Sequence, residues 1–171
     1  MSASSRRKFI QQLGATTLAL GAGSINILKA NDTIREETLH MPATISANDR
    51  IQVALIGAGI MGNADLETAL KIPGIEFVAA CDLYKGRLTR INEKYGAGIF
   101  TTQDYREVLA KKDIDAVIIG TADLWHSRIS IDAMNAGKHV YCEKPMVKEI
   151  AQGLPVIETA RKTKRVIQVG S

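Results

Sequence analysis

Residues 51–62 read IQVALIGAGIMG. The run from Ile51 to Gly57 is apolar almost throughout and rich in β-branched residues, which suits a strand buried on both faces. Gly57, Gly59 and Gly62 follow with the spacing G-x-G-x-x-G, enclosing Ile60 and Met61. Alone, that spacing is weak evidence. Here it leaves a strand and opens a helix, and each glycine has a task. Gly57 allows the tight turn, Gly59 lets backbone approach a pyrophosphate, and Gly62 lets helix pack on strand. The free N–H groups and positive dipole end of that helix then face the phosphates. Asp82 stands twenty residues beyond Gly62, at the end of a second apolar run. A carboxylate there accepts the ribose hydroxyls of adenosine and repels a 2′-phosphate. Leu83 and Tyr84 come next, with no arginine immediately after Asp82, which favours NAD over NADP. The structural alternative is a turn that merely packs, with Asp82 capping a helix.

The pattern repeats outward from this motif. IEFVAACD (75–82) reads as a strand, KGRLTRINEKYG (85–96) as an amphipathic helix, and 98–101 as a weaker strand. TTQDYREVLAKKD reads as a short helix, IDAVIIGTA (114–122) as strand four, and HSRISIDAMNAG (126–137) as a helix with a glycine stop. KHVYCEK is strand five, residues 147–164 form a long helix that must accommodate Gly153 and Pro155, and RVIQVGS is strand six. Strands alternating with helices call for an α/β fold, a doubly wound parallel sheet of the Rossmann type. Ligands of such sheets sit at the carboxyl ends of the strands. Four of these ends are polar: Gly57 to Gly62, Asp82, Thr121-Ala122-Asp123 and Glu143-Lys144.

Charge separates the termini from the body. The 171 residues carry a formal charge of +4. Residues 1–30 contain Arg6, Arg7, Lys8 and Lys29 and no acid, so the remainder is neutral by count and offers no footprint for nucleic acid. A basic start, a mildly apolar Gly-containing middle and no acid make the layout of an export signal. Arg6-Arg7-Lys8-Phe9-Ile10 resembles a bacterial twin-arginine signal, with Ile10 where leucine is commoner. The apolar stretch is too short and Gly-rich for a stable membrane span. Residues 1–30 are therefore expected to be a twin-arginine-type signal, with its cleavage site open, 31–49 a linker, and 50–171 the dinucleotide-binding domain. The expected location is exported and periplasmic, or cytoplasmic if the signal is not used. Cys81 and Cys142 sit in apolar runs and read as small buried hydrophobes, and no spacing suggests a metal site.

Residues 50–171 resemble the Gfo/Idh/MocA oxidoreductases. The resemblance rests on GAGIMG, Asp82, the segment GTADLWHSRISIDAMNAGKHVYCEKP and the closing VIQVGS. It implies a second, larger α/β domain that binds sugar-like or cyclitol substrates and mediates homo-oligomers, so the chain is expected to end before that domain. It also implies that Lys144, of Glu143-Lys144-Pro145, lies beside the nicotinamide and the reacting hydroxyl, and that the loop from Thr121 to His126 borders the cofactor. Many relatives have proline where this chain has Ala122. The expected cofactor contacts are Gly57, Gly59, Ile60, Met61, Gly62, Asp82, Thr121, Ala122, Trp125, His126, Glu143 and Lys144. Lys144 and His126 are the expected catalytic groups, His126 weighed against a helix-capping role. His139 opens strand five at the opposite edge and is expected to be structural. A cis Lys144–Pro145 bond would re-aim the lysine.

Three functions fit these readings. The first is NAD-dependent oxidation of a sugar or polyol, with Lys144 hydrogen-bonding the alcohol. The second is a glycoside hydrolase that uses NAD transiently and recycles it. The third is a non-enzymatic NAD-binding module.

Overall fold

The computed structural model describes Ser46 and residues 49–170. The expected signal over 1–30, most of the linker over 31–49, and Ser171 lie outside the described residues. Six strands run β1 Ile51–Ile56, β2 Ile75–Cys81, β3 Phe100–Thr102, β4 Ala116–Ile119, β5 His139–Cys142 and β6 Ile167–Val169. Among the described residues five α-helices join them: α1 Ile60–Ala69, α2 Lys85–Tyr95, α3 Tyr105–Ala110, α4 His126–Asn135 and α5 Gly153–Thr163. All strand pairs are parallel, in the order β3-β2-β1-β4-β5-β6. The order reverses between β1 and β4, which creates the crevice where such sheets take ligands.

Alternation along the strands sends side chains to two cores. Ala54, Ile56, Val117, Ile119, Val140 and Cys142 face a cluster completed by Val108 and Leu109 of α3, Ile129, Ala133 and Met134 of α4, and Val156 of α5. Val53, Leu55, Ala80 and Ile118 face the other, completed by Leu66 of α1 and Leu88 and Ile91 of α2. Helices on both faces explain why β1 is buried from Val53 onward and reads as an unbroken apolar run.

The element order matches the expectation, and the boundaries move. α1 begins at Ile60, inside the glycine motif, so Gly62 is already helical. Strand four is shorter than 114–122. The long helix expected over 147–164 is a 3-10 turn, Ile150–Gln152, followed by α5. Glu149 and Gln152 form a reciprocal capping box there. Pro155 thereby falls in the first turn of α5, where a missing N–H costs little. His139 joins β5 to the start of the last strand segment, its Nδ1 accepting from the Val166 N–H at 3.0 Å. Among the described residues no helix is long and apolar enough to cross a membrane.

Candidate functional site

Three backbone segments meet at the crevice with almost no space between them. A Cβ added to Gly57 would lie 2.6 Å from the Gly120 carbonyl carbon, and φ there is +96°, a region that favours glycine. A Cβ at Gly62 would lie 2.1 Å from the Gly57 carbonyl oxygen, and one at Gly120 would lie 2.6 Å from Gly62 Cα. Gly59 differs. Its nearest neighbours would be Arg87 Nη1 at 3.8 Å and Cζ at 3.9 Å. Backbone is therefore open above Gly59 and sealed at the other two motif glycines. Asn63 braces the loop, its Nδ2 donating to the Ala58 and Gly59 carbonyls at 2.9 and 2.7 Å.

Asp82 ties the glycine loop to the loop after β2. Its Oδ2 accepts from the Ala58 N–H at 2.9 Å, and its Oδ1 from the Tyr84 N–H at 2.8 Å. Arg87 Nη1 stands 3.1 Å from Oδ2. No arginine follows Asp82 directly, yet the first turn of α2 returns one from five residues on. The carboxylate is 7% exposed as a residue and the guanidinium about half exposed, so the cation sits on the solvent side. Its charge weakens the repulsion that Asp82 alone would exert on a 2′-phosphate.

A cavity of about 750 Å³ opens beside these groups, lined among others by Gly57, Asp82, Arg87, Thr121, Ala122 and Trp125. Cys81 also lines it, with burial pushing its thiol up to about 12. Cys142 is pushed up to about 11 by burial as well. Both stay protonated and behave as small apolar side chains. A smaller space of about 430 Å³ lies against Gly59, Ile60 and Asn63, with Arg87, Arg90 and Lys94 on its far wall. Ile60 and Met61 are exposed at the start of α1.

His126 stands elsewhere than a catalytic histidine would. It is 1% exposed. Its Nδ1 lies 2.7 Å from the Pro145 carbonyl and its Nε2 3.0 Å from the Thr121 carbonyl. The ring thus lies between the loop after β4 and the loop after β5, a neutral imidazole donating to one of the two carbonyls, and at 1% exposure it is closed off from a substrate. The Lys144–Pro145 peptide is cis. Lys144 is exposed on the rim, while Glu143 is buried beneath it, with its N–H donating to the Ile119 carbonyl at 2.9 Å. Neither lines the two cavities above. Of the expected contacts, the structure gathers Gly57, Asp82, Thr121, Ala122 and Trp125 around one space. It sets Gly59 and Ile60 on the adjoining one, packs Gly62 underneath, and leaves Met61 and Lys144 exposed. Sequence reasoning missed Arg87, Asn63 and Gly120. Only Arg87 carried a signal, as a cation on the first turn of the helix after the acid.

A parallel sheet in this order, with a glycine loop opening α1 and an acid ending β2, defines a dinucleotide-binding domain. The chain belongs to the Gfo/Idh/MocA oxidoreductase family with an NAD-binding Rossmann fold, whose model matches residues 51–171. It is 34% identical over 122 residues to an inositol 2-dehydrogenase of Salmonella typhimurium, covering 70% of this chain and 36% of that protein. It is 28% identical to an alpha-N-acetylgalactosaminidase of Shewanella oneidensis over 94% of this chain and 38% of that protein. A solved structure of the WlbA dehydrogenase from Chromobacterium violaceum, in complex with NADH and UDP-GlcNAcA, superposes with TM-score 0.65 at 29% identity. It covers 75% of this chain and 38% of that one. The chain spans well under half the length of these relatives. The site residues fit NAD: the room above Gly59 suits a pyrophosphate, and Asp82 offers acceptors where a ribose would lie.

Proposed function

We propose that the chain is the cofactor-holding part of an NAD-dependent oxidoreductase acting on a hydroxyl of a sugar or polyol. One observation carries this reading: Gly57, Asp82, Thr121, Ala122 and Trp125, from the ends of three strands, border one cavity at the carboxyl edge of the sheet. NAD supplies the hydride acceptor. Lys144 hydrogen-bonds the alcohol and steadies its developing negative charge. His126 acts by positioning, since its ring is wedged between the Thr121 and Pro145 carbonyls and donates to one of them. Substrate selection and self-association fall to a second domain of the kind the family carries. The test is turnover of inositol and related polyols by the full-length protein, read as free NADH.

Redox-neutral glycoside cleavage is the second reading. The match to the alpha-N-acetylgalactosaminidase covers 94% of this chain, so it extends well upstream of residue 50, whereas the inositol dehydrogenase match covers 70%. Release of sugar from an aryl N-acetylgalactosaminide without net NADH would decide for it.

Asp82 sets cofactor choice in either case. Asp82→Ala is expected to weaken NAD binding by about tenfold or more, the scale of a lost charge-assisted hydrogen bond. Affinities for NAD and NADP, measured on both proteins, check this. A wild type that prefers NADP, or a variant that binds NAD unchanged, overturns the assignment.

We further propose periplasmic delivery through Arg6 and Arg7. A parallel sheet folds slowly through non-local contacts, and its cofactor is held in the cytoplasm. Folding around NAD before export avoids delivering an empty protein, and bound NAD stabilises the folded state in transit. Cell fractionation after Arg6→Lys and Arg7→Lys should show the protein retained inside. Equal export of the doubly substituted chain defeats the signal reading.

A further inference from the structure

Arg87, Arg90 and Lys94 follow one another on α2 at spacings of three and four residues, so they share one face of that helix. All three line the space of about 430 Å³ that reaches Gly59 and Ile60, and no acidic side chain lines it. Their partners differ. Lys94 is paired with Glu67 of α1. Arg87 donates through Nη1 to Asp82 Oδ2 at 3.1 Å, which leaves most of its five-donor fork unspent. Among the described residues the Arg90 side chain has no ion pair and no hydrogen bond. Arg87 also lines the larger cavity beside Asp82, so it borders both spaces. Its Nη1 would lie 3.8 Å from a Cβ at Gly59, which sets the cation over the open part of the glycine loop.

A ribose hydroxyl needs no cation, and the N–H groups opening α1 already serve a pyrophosphate. Cations without an acid beside the glycine loop instead match one more anionic group on the adenosine ribose. Asp82 is the residue that would oppose such a group. Its Oδ2 accepts from the Ala58 N–H and from Arg87, and its Oδ1 from the Tyr84 N–H. At 7% exposure, its charge is largely answered inside the fold. We propose that the space between Gly59 and α2 is a phosphate subsite, in which Arg87 and Arg90 hold the 2′-phosphate of NADP, so that the chain takes NADP alongside NAD. The inference rests on the NAD-binding reading above. Arg87 keeps one edge of its guanidinium on Asp82 and turns another to the phosphate, which its planar fork allows. Arg90, nearly one turn further along α2, meets the phosphate from the same wall. Lys94 stays with Glu67 and adds charge from farther off. With NAD the subsite holds solvent, and Asp82 serves the ribose hydroxyls.

The experiment is equilibrium titration of the chain with NAD and NADP, and with 5′-AMP and adenosine 2′,5′-bisphosphate as probes that lack the nicotinamide end. Wild-type affinity for NADP is expected to fall within about tenfold of that for NAD, and to drop more steeply with salt, since one more phosphate is screened. Arg87→Gln should weaken NADP binding by about tenfold or more and Arg90→Ala by about fivefold, the scale of lost charge-assisted hydrogen bonds, while NAD affinity changes by no more than about threefold in either. The bisphosphate should follow NADP, and 5′-AMP should follow NAD. Arg90 is exposed, so its variant decides the matter if Arg87→Gln does not fold. Wild-type NADP binding more than about 100-fold weaker than NAD binding, parallel loss of both cofactors in Arg87→Gln, or unchanged NADP affinity in Arg90→Ala overturns the subsite while leaving the cofactor reading intact. Binding of neither cofactor overturns the cofactor reading, and the subsite falls with it.

Discussion

Replacing Lys144 by methionine in the full-length protein is expected to lower turnover by at least about 100-fold, the scale of a positioned proton-transfer group. Methionine keeps much of the length and apolar stem of the side chain and removes the ammonium. The residue is exposed, so its loss should not disturb either core. The backbone that carries it is fixed from both sides. The Glu143 N–H donates to the Ile119 carbonyl, and the Pro145 carbonyl is held by His126. NAD affinity should therefore change by no more than a few-fold, and the effect should fall on kcat. Steady-state kinetics together with equilibrium NAD binding separate the two. Near-normal turnover would remove Lys144 from the chemistry.

Gly59→Val is expected to cost about 100-fold in NAD affinity, near the upper end of what forcing methyl groups into an occupied contact does. The fold should survive. Gly59 has φ −78° and ψ −170°, which any residue adopts. A Cβ there would meet nothing of the protein closer than 3.8 Å. The valine would instead occupy the open space above the loop, where the N–H groups opening α1 face the phosphates. Circular dichroism and thermal melting should match the wild type while NAD titration fails. Ordinary NAD affinity in a folded variant would refute the phosphate cradle.

Much of this architecture was legible in order along the chain. Buried parallel strands show as apolar runs, and the glycine spacing with Asp82 pointed to the crevice and to an NAD-binding fold. Groups that meet only after folding were not legible. Arg87 reaches Asp82 because α2 starts immediately after the turn, and Gly120 matters because β4 ends against Gly62. The surroundings of His126 were hidden for a related reason. A histidine at a loop-helix junction near a ligand edge suggests chemistry, and its two carbonyl partners lie 5 and 19 residues away. The late start of α5 follows from the capping box at Glu149 and Gln152, which outweighs the helical pattern before it.

The contact among Gly57, Gly62 and Gly120 also constrains how the protein can evolve. Crowding between side chains is commonly relieved by shrinking the neighbour, so paired positions drift together. Here the closest neighbour of each is main chain of a residue already without a side chain, and nothing smaller exists to exchange for it. A methyl at any of the three can be accommodated only by moving α1 or the end of β4 bodily, which would carry the cofactor edge with it. These positions should consequently lack second-site suppressors at one another. A screen that starts from Gly62→Ala should recover true revertants or distant changes that shift the helix, and none at Gly57 or Gly120.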